Sequence, residues 1–202
     1  MKATAHLFCL IWISFAFGQS EQEALAFQKE LTLQFSTKNA SPLLTKDRLL
    51  FASLPFYDWN PDYCVTATIE KTPDAPLFLM ESTDKRSALY QQYAIAHFVV
   101  LGKKMQLSLY QSQASKYDLQ YRDHLFLPFK DLSNGDATYH GGRYLNVFVS
   151  ELQQNTWILD FNKSFNPYCA YNPNYSCPIP PSENHLGIAI EAGVRNGFVK
   201  KP

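Results

Sequence analysis

The sequence predicts a mainly β, β-rich α+β domain. The expected architecture is an antiparallel barrel or sandwich with one or two N-terminal helices and a long ordered Pro/Asn-rich loop. Three observations lead there. From Tyr63 onward, apolar residues recur with a period of two, in short runs broken by turn-forming residues. Helical patterns do not alternate with these runs, which favours an antiparallel sheet over parallel βαβ units. Finally, Asp160 to Gly193 (DFNKSFNPYCAYNPNYSCPIPPSENHLGIAIEAG) holds five prolines and five asparagines. Proline lacks an N–H and fixes φ, so this stretch is neither an ordinary helix nor a central strand.

The chain opens with a pattern for export. Lys2 gives a basic start, Leu7 to Phe17 is apolar, and Ala16-Phe17-Gly18 offers small residues for cleavage before Gln19. Residues 1–18 read as a signal peptide and 19–202 as a single globular domain. The apolar run is too short for a comfortable bilayer span, and no later stretch reaches that length. A secreted or periplasmic location follows, with no transmembrane segment after signal cleavage. The full chain has a formal net charge of zero and no basic block, which argues against a nucleic-acid partner.

Glu21 to Phe35 predicts a helix, because Ala24, Phe27, Leu31 and Phe35 fall three or four apart. Ser41-Pro42 suggests a cap opening a short helical turn through Leu50. Leu54 to Pro61 is an aromatic, proline-bounded connector. Tyr63 to Glu70 alternates as a strand, with Cys64 and Val65 on opposite faces. Leu77 to Glu81 is a second strand, followed by a polar turn at Asp84-Lys85-Arg86. Tyr93 to Leu101 and Met105 to Gln111 form a hairpin around Gly102-Lys103. Leu125 to Phe129 stops at a turn containing Asn134-Gly135. Arg143 to Val149 is expected to pair with Thr156 to Phe161, and Leu186 to Glu191 to form the last strand.

Three cysteines follow the leader. Export to an oxidising compartment makes Cys169–Cys177 the obvious disulfide, worth about 2.5 kcal/mol by the chain-entropy model. Cys64 is then an odd thiol, a buried small apolar residue by type. A thiol nucleophile at Cys169 or Cys177 is the alternative to the bond, with His185 the nearest imidazole in sequence.

The loop and Leu127 to Leu145 (LPFKDLSNGDATYHGGRYL) also carry recurring pieces: PFKD, TYHGGRYL, DFN, NPYCAYNP, CPIPP, Glu183-Asn184 and the closing EAG. In order and spacing they resemble a family of secreted bacterial proteins catalogued as domain of unknown function 1684. The resemblance extends more weakly upstream of Phe126. It implies an envelope or secreted location and no established activity. The family usually has glycine where this chain has His140, and an acidic residue where it has Val194.

No G-x-S-x-G, H-E-x-x-H, G-x-x-x-x-G-K or C-x-x-C motif is present, which disfavours the common hydrolases, zincins and nucleotide enzymes. The candidate ligand-binding residues are Tyr139, His140, Arg143, Asp160, Asn162, Asn166, Tyr171, Glu183 and Asn184. Gly141-Gly142 lets backbone approach a ligand and Arg143 can grip a carboxylate or phosphate. The same features also suit a tight start to a strand, with Arg143 paired to a carboxylate such as Asp160. His140, with an ordinary pKa of about 6.5, can act as acid, base or metal ligand, but the family's glycine there counts against a required role. Asp160, Glu183 and Glu191 could converge around the loop, as glycoside or metal chemistry needs. The asparagines equally suit turns and orphan donors. Tyr168, Tyr171 and Tyr175 offer an aromatic surface for sugars or for packing.

Two sets of expectations follow. The first is a ligand-binding or structural module of the cell envelope, in which the loop and the TYHGGRY segment line one cleft. Its partner is an unidentified small molecule, glycan or envelope protein. The second is a hydrolase using Arg143 with Asp160 or Glu183, or a carboxylate metal site. No metal ligand and no cofactor is assigned.

Overall fold

The computed structural model describes residues 6–84, 86–152 and 154–201, with side chains from Gln19 onward. The first helix, α1 (His6–Ser36), continues back through most of the expected leader, whose residues 1–5 and remaining side chains lie outside this description. The predicted inner face is confirmed: Ala24, Leu31 and Phe35 are buried, and Phe27 packs beside them. After Ser41, whose hydroxyl accepts from Leu43 N–H at 3.2 Å, a short helix α2 (Thr45–Leu50) leads into β1 (Phe51–Ser53).

The body of the protein is a seven-stranded antiparallel sheet curled into a half-barrel. Its strands are β2 (Cys64–Lys71), β3 (Leu77–Met80), β4 (Ala88–Val100), β5 (Lys103–Ser112), β6 (His124–Phe129), β7 (Arg143–Phe148) and β8 (Thr156–Asp160). A four-residue helix, α3 (Gln113–Lys116), follows β5. The spatial order is β7-β6-β5-β4-β2-β8, with β3 also paired to β4. A last strand, β9 (Val199–Lys200), pairs with β1 in a separate two-stranded sheet. The expected β4–β5 hairpin forms, its turn made by Leu101 and Gly102 with φ of 49° and 73°. Two left-handed residues match the twist of the flanking strands. Among the described residues no helix is long and apolar enough to cross a membrane.

Two sequence expectations are corrected. Thr156–Asp160 pairs with β2 rather than β7, from Cys64↔Asp160 to Thr68↔Thr156. The reason is a 3-10 turn at Val149–Leu152, which buries Leu152 and carries the chain away from β7. Leu186 to Glu191 is not a strand. Its alternation is real, since Leu186, Ile188 and Ile190 all enter the main core beside Leu127, Phe129 and Phe161. Its backbone pairs only briefly, with Leu186 N–H donating to Lys130 O at 2.8 Å and Leu132 N–H to Ile188 O at 3.0 Å, and beyond Ile188 it meets side chains in place of a ladder.

Those side chains belong to a buried ion pair. Arg143 is fully buried at the start of β7, and its Nη2 donates to Asp131 Oδ2 at 2.8 Å. Nη2 also donates to Ile190 O at 2.7 Å, and Nη1 donates to the carbonyls of Ala192 and Val194. Asp131 Oδ1 accepts from Ile190 N–H at 3.2 Å and from Ser133 N–H at 2.8 Å. The guanidinium lies 5.3 Å from the Phe129 ring centroid. Burial lowers the Arg143 pKa and Asp131 opposes that shift. Charge stripped of water is tolerated only when paired and hydrogen-bonded throughout, and this carboxylate with its ring of carbonyls meets the condition for the two Nη atoms.

Asn184 supplies a second non-ladder device. Its side-chain amide accepts from Ser108 N–H at 2.8 Å, donates to Ser108 O at 2.9 Å, and donates to Pro128 O at 2.6 Å. It therefore stands between β5 and β6 as a substitute peptide group. Pro128 has no N–H to offer, so a backbone ladder through it is incomplete in any case. Asn162 does the same for Asn60, accepting from its N–H and donating to its carbonyl, each at 3.0 Å.

Replacing Arg143 by Met or Asp131 by Asn should each lower the unfolding free energy by about 3–5 kcal/mol, because the partner charge is left buried alone. Urea titrations of both single variants and an apolar double variant should show the double loss falling well short of the sum. Additive losses would mean the pair is not coupled. Asn184→Ala should cost about 1–3 kcal/mol by orphaning three backbone groups, with faster amide hydrogen exchange at Ser108. Unchanged exchange there would remove the substitute-peptide role.

Candidate functional site

The Pro/Asn-rich stretch is built from 3-10 turns at Phe161–Lys163, Tyr168–Ala170 and Ser182–Asn184 joined by extended proline segments. It lies against the TYHGGR segment through an isolated bridge between Tyr144 and Phe165. Gly142 needs its freedom: its φ is 93°, and a Cβ there would sit 2.6 Å from Phe129 O and 2.9 Å from Pro180. Gly142 thus serves a close backbone approach at the start of β7.

Between the two segments lies a cleft of about 180 Å³, lined by Lys130, Tyr139, His140, Gly141, Tyr144, Pro167, Cys169, Cys177, Pro178 and Ile179, with Thr83 from the turn after β3. The two stretches singled out in the sequence therefore share one concavity. His140 is exposed, its ring centroid 4.4 Å from that of Tyr139. Tyr144 is held at the wall by donating its hydroxyl to Pro178 O. Burial raises the Tyr139 phenol to about 12.

The expected Cys169–Cys177 disulfide is not formed in this structure. Both thiols are free, as is Cys64. The pair is nonetheless in contact, with Cys169 N–H donating to Cys177 Sγ at 3.2 Å. A hydrogen bond from Cys177 draws the Cys169 thiol down to about 7, helped by Tyr139, whose Oη is 3.9 Å from Cys169 Sγ. The same bond and burial push Cys177 up. Hydrogen bonds to a thiolate favour it over the thiol.

The other candidates are placed elsewhere. Arg143 has the carboxylate partner expected of it, but that partner is Asp131 and not Asp160, and Arg143 does not line the cleft. Asp160 is buried. Its Oδ1 accepts from Asn162 N–H and Nδ2 at 3.0 and 2.8 Å, and burial raises its pKa. Asn162, Asn166 and Asn184 are buried. Asn166 donates to Tyr171 Oη at 3.0 Å and to Arg195 O at 3.1 Å. Tyr171 stacks edge-on against Phe35 at 4.8 Å and belongs to the core beneath α1. Glu183 is exposed, accepts from Tyr110 Oη at 2.8 Å, and borders a separate depression with His97 and His185. Asp160 and Glu183 thus do not converge. Among the described residues no group of three His, Cys, Asp or Glu side chains is placed to hold a metal. Val194 is fully buried among Leu31, Phe35 and Leu54.

Sequence reasoning missed Lys130 and Thr83 as cleft residues. Lys130 was within reach, as the charged member of the PFKD piece beside the turn. Thr83 carries no local signal, since it enters through long-range pairing: its N–H donates to Cys177 O at 3.0 Å and its hydroxyl accepts from Cys177 N–H at 3.2 Å. A larger depression of about 660 Å³ opens between α1 and the β2–β8 edge beside Cys64 and Trp157. Two of its charges are engaged with each other, Lys163 Nζ lying 3.0 Å from Glu23 Oε2. Cys64 there contacts Ser20 Oγ at 3.0 Å, and burial raises its thiol.

Comparison with known proteins agrees with this architecture. The solution NMR structure of an uncharacterized protein from Haloarcula marismortui superposes with a TM-score of 0.69 at 31% sequence identity, covering 89% of this chain and 96% of the other. No curated protein matches the chain. The family model described as Protein of unknown function (DUF1684) matches residues 50–195, a span that runs from the end of α2 through the half-barrel, the cleft and the buried ion pair. The chain belongs to that family.

Proposed function

We propose that this protein is an exported β-rich binding module of the cell envelope, and that its site is the cleft between the TYHGG segment and the Pro/Asn-rich loop. One observation carries the reading: two unusual segments, distant in sequence, line a single concavity that also holds Lys130, His140, the Tyr139 phenol and a thiol pair. Convergent polar groups in a concavity with a perturbed titratable residue are the default signature of a binding site. At about 180 Å³ the cleft is smaller than a whole drug-sized ligand requires. It suits the hydroxyl- or carboxylate-bearing tip of a larger molecule such as a glycan or an envelope peptide. Lys130 and His140 supply donors for such a group, and Tyr139 a flat face. The envelope location rests on the export pattern of residues 1–18.

No observation favours the hydrolase or metal-site readings. Arg143 is buried, and Asp160 and Glu183 lie in different places.

A thermal-shift screen of the purified protein with sugars, peptidoglycan fragments, short peptides and small carboxylates tests the reading. A bound ligand should raise the melting temperature, by about 2.7 kcal/mol of added stability at a hundredfold excess over Kd. Tyr139→Ala and Lys130→Ala should abolish the rise while melting normally without ligand. A rise that survives both substitutions, or no rise with any compound class, would move the site elsewhere or remove it.

A further inference from the structure

The cleft holds two thiols in unlike settings. Cys169 sits half-buried in the turn Tyr168–Ala170, at the cleft wall. Cys177 is only 6% exposed and is clamped on both sides of its own backbone by Thr83, through Cys177 N–H to Thr83 Oγ1 at 3.2 Å and Thr83 N–H to Cys177 O at 3.0 Å. Cys169 N–H reaches Cys177 Sγ at 3.2 Å, so the second sulfur stands against the backbone of the first. Tyr139 Oη lies 3.9 Å from Cys169 Sγ, on the side of the TYHGG segment. One thiol is thus reachable from solvent and supplied with hydrogen-bond partners, while the other is buried, fixed and adjacent.

We propose that Cys169 is a modification site for small disulfides entering the cleft, and that Cys177 resolves the mixed disulfide so formed. Cys169 Sγ, as thiolate, attacks one sulfur of a compound RS–SR. A protein–S–S–R bond forms and RS⁻ departs. Cys177 then loses its proton, attacks Cys169 Sγ and expels the second RS⁻. The protein gives up two protons and two electrons, and the small disulfide becomes two thiols. The Cys169–Cys177 disulfide that results returns to the dithiol with excess small thiol, by the reverse steps. The order of attack follows from the geometry together with the opposed shifts of the two thiols, Cys169 downward and Cys177 upward. Cys64 lies outside this chemistry, in the other depression, its thiol raised by burial.

The inference rests on the cleft being open to small molecules, as the binding reading also requires. The two are separable because one is read by mass and the other by melting. The full chain is reduced, freed of reductant and treated with oxidised glutathione. Peptide mass mapping then assigns the sulfurs. In the unmodified chain we expect the Cys169–Cys177 disulfide with little retained adduct. In Cys177→Ser we expect one stable glutathionyl group on Cys169. In Cys169→Ser we expect adduct formation slowed by tenfold or more, and no intramolecular bond. Tyr139→Phe should slow the first step severalfold without changing the sites. An adduct on Cys177 in Cys169→Ser at the unmodified rate would overturn the order of attack. Preferred labelling of Cys64, or no reaction at Cys169 in a Cys177→Ser protein whose melting is normal, would overturn the site. Should Cys177→Ser fold poorly, the early time course of the unmodified chain decides instead, since the first mixed disulfide must appear on Cys169. Exchange without any thermal shift would leave this chemistry standing while the reversible-ligand reading falls.

Discussion

A single buried charge pair organises the molecule. Arg143 begins β7 and Asp131 follows β6, so their contact closes one corner of the half-barrel. The two Nη atoms also reach the carbonyls of Ile190, Ala192 and Val194 on the segment that crosses the core. An arginine stripped of water cannot leave those donors empty without a cost of several kcal/mol. The carbonyls that fill them are therefore unable to join a strand ladder. This constraint explains why the segment's backbone pairing with Lys130 and Leu132 does not continue past Ile188.

The asparagines solve the matching problem for the sheet and the loop. A side-chain amide carries the same donor and acceptor set as a peptide group. Asn184 uses it to join β5 to β6 beside a proline, and Asn162 uses it to hold the aromatic connector at Asn60. Asn172 accepts from Asn174 N–H and donates to Pro42 O, tying the loop to the chain ahead of α2. These asparagines hold backbone together, and with them in place the loop presents Cys169 to the space that Tyr139 lines from the facing segment.

Much of this was legible in the sequence. The inner face of α1, the β4–β5 hairpin and the concavity between the loop and TYHGG follow from local periodicity, turn chemistry and composition. Pairing partners did not follow. Thr156–Asp160 has the pattern of a hairpin partner for β7, and nothing local reveals that Leu152 packs inward and sends it to β2. The sequence offers Arg143 as a grip for a ligand or as the partner of a carboxylate, and choosing Asp131 for that partner requires three-dimensional proximity. The asparagines suit both ligand contacts and loop-backbone partners by sequence, and the structure gives them backbone partners. Thr83 was invisible because its role lies wholly in contacts with a residue 94 positions away.

The crossing segment also has a kinetic side. The β4–β5 hairpin closes locally and can form as soon as its own residues are present, whereas the guanidinium of Arg143 finds its last carbonyl 51 positions further along the chain. Contacts of such long separation are reached late, after loop-closure entropy has been overcome. The arginine at the corner of the half-barrel therefore lacks these carbonyls until the segment that carries Ile190 to Val194 has been made. Order of assembly is thereby written into the position of one side chain: local hairpins first, the crossing segment last.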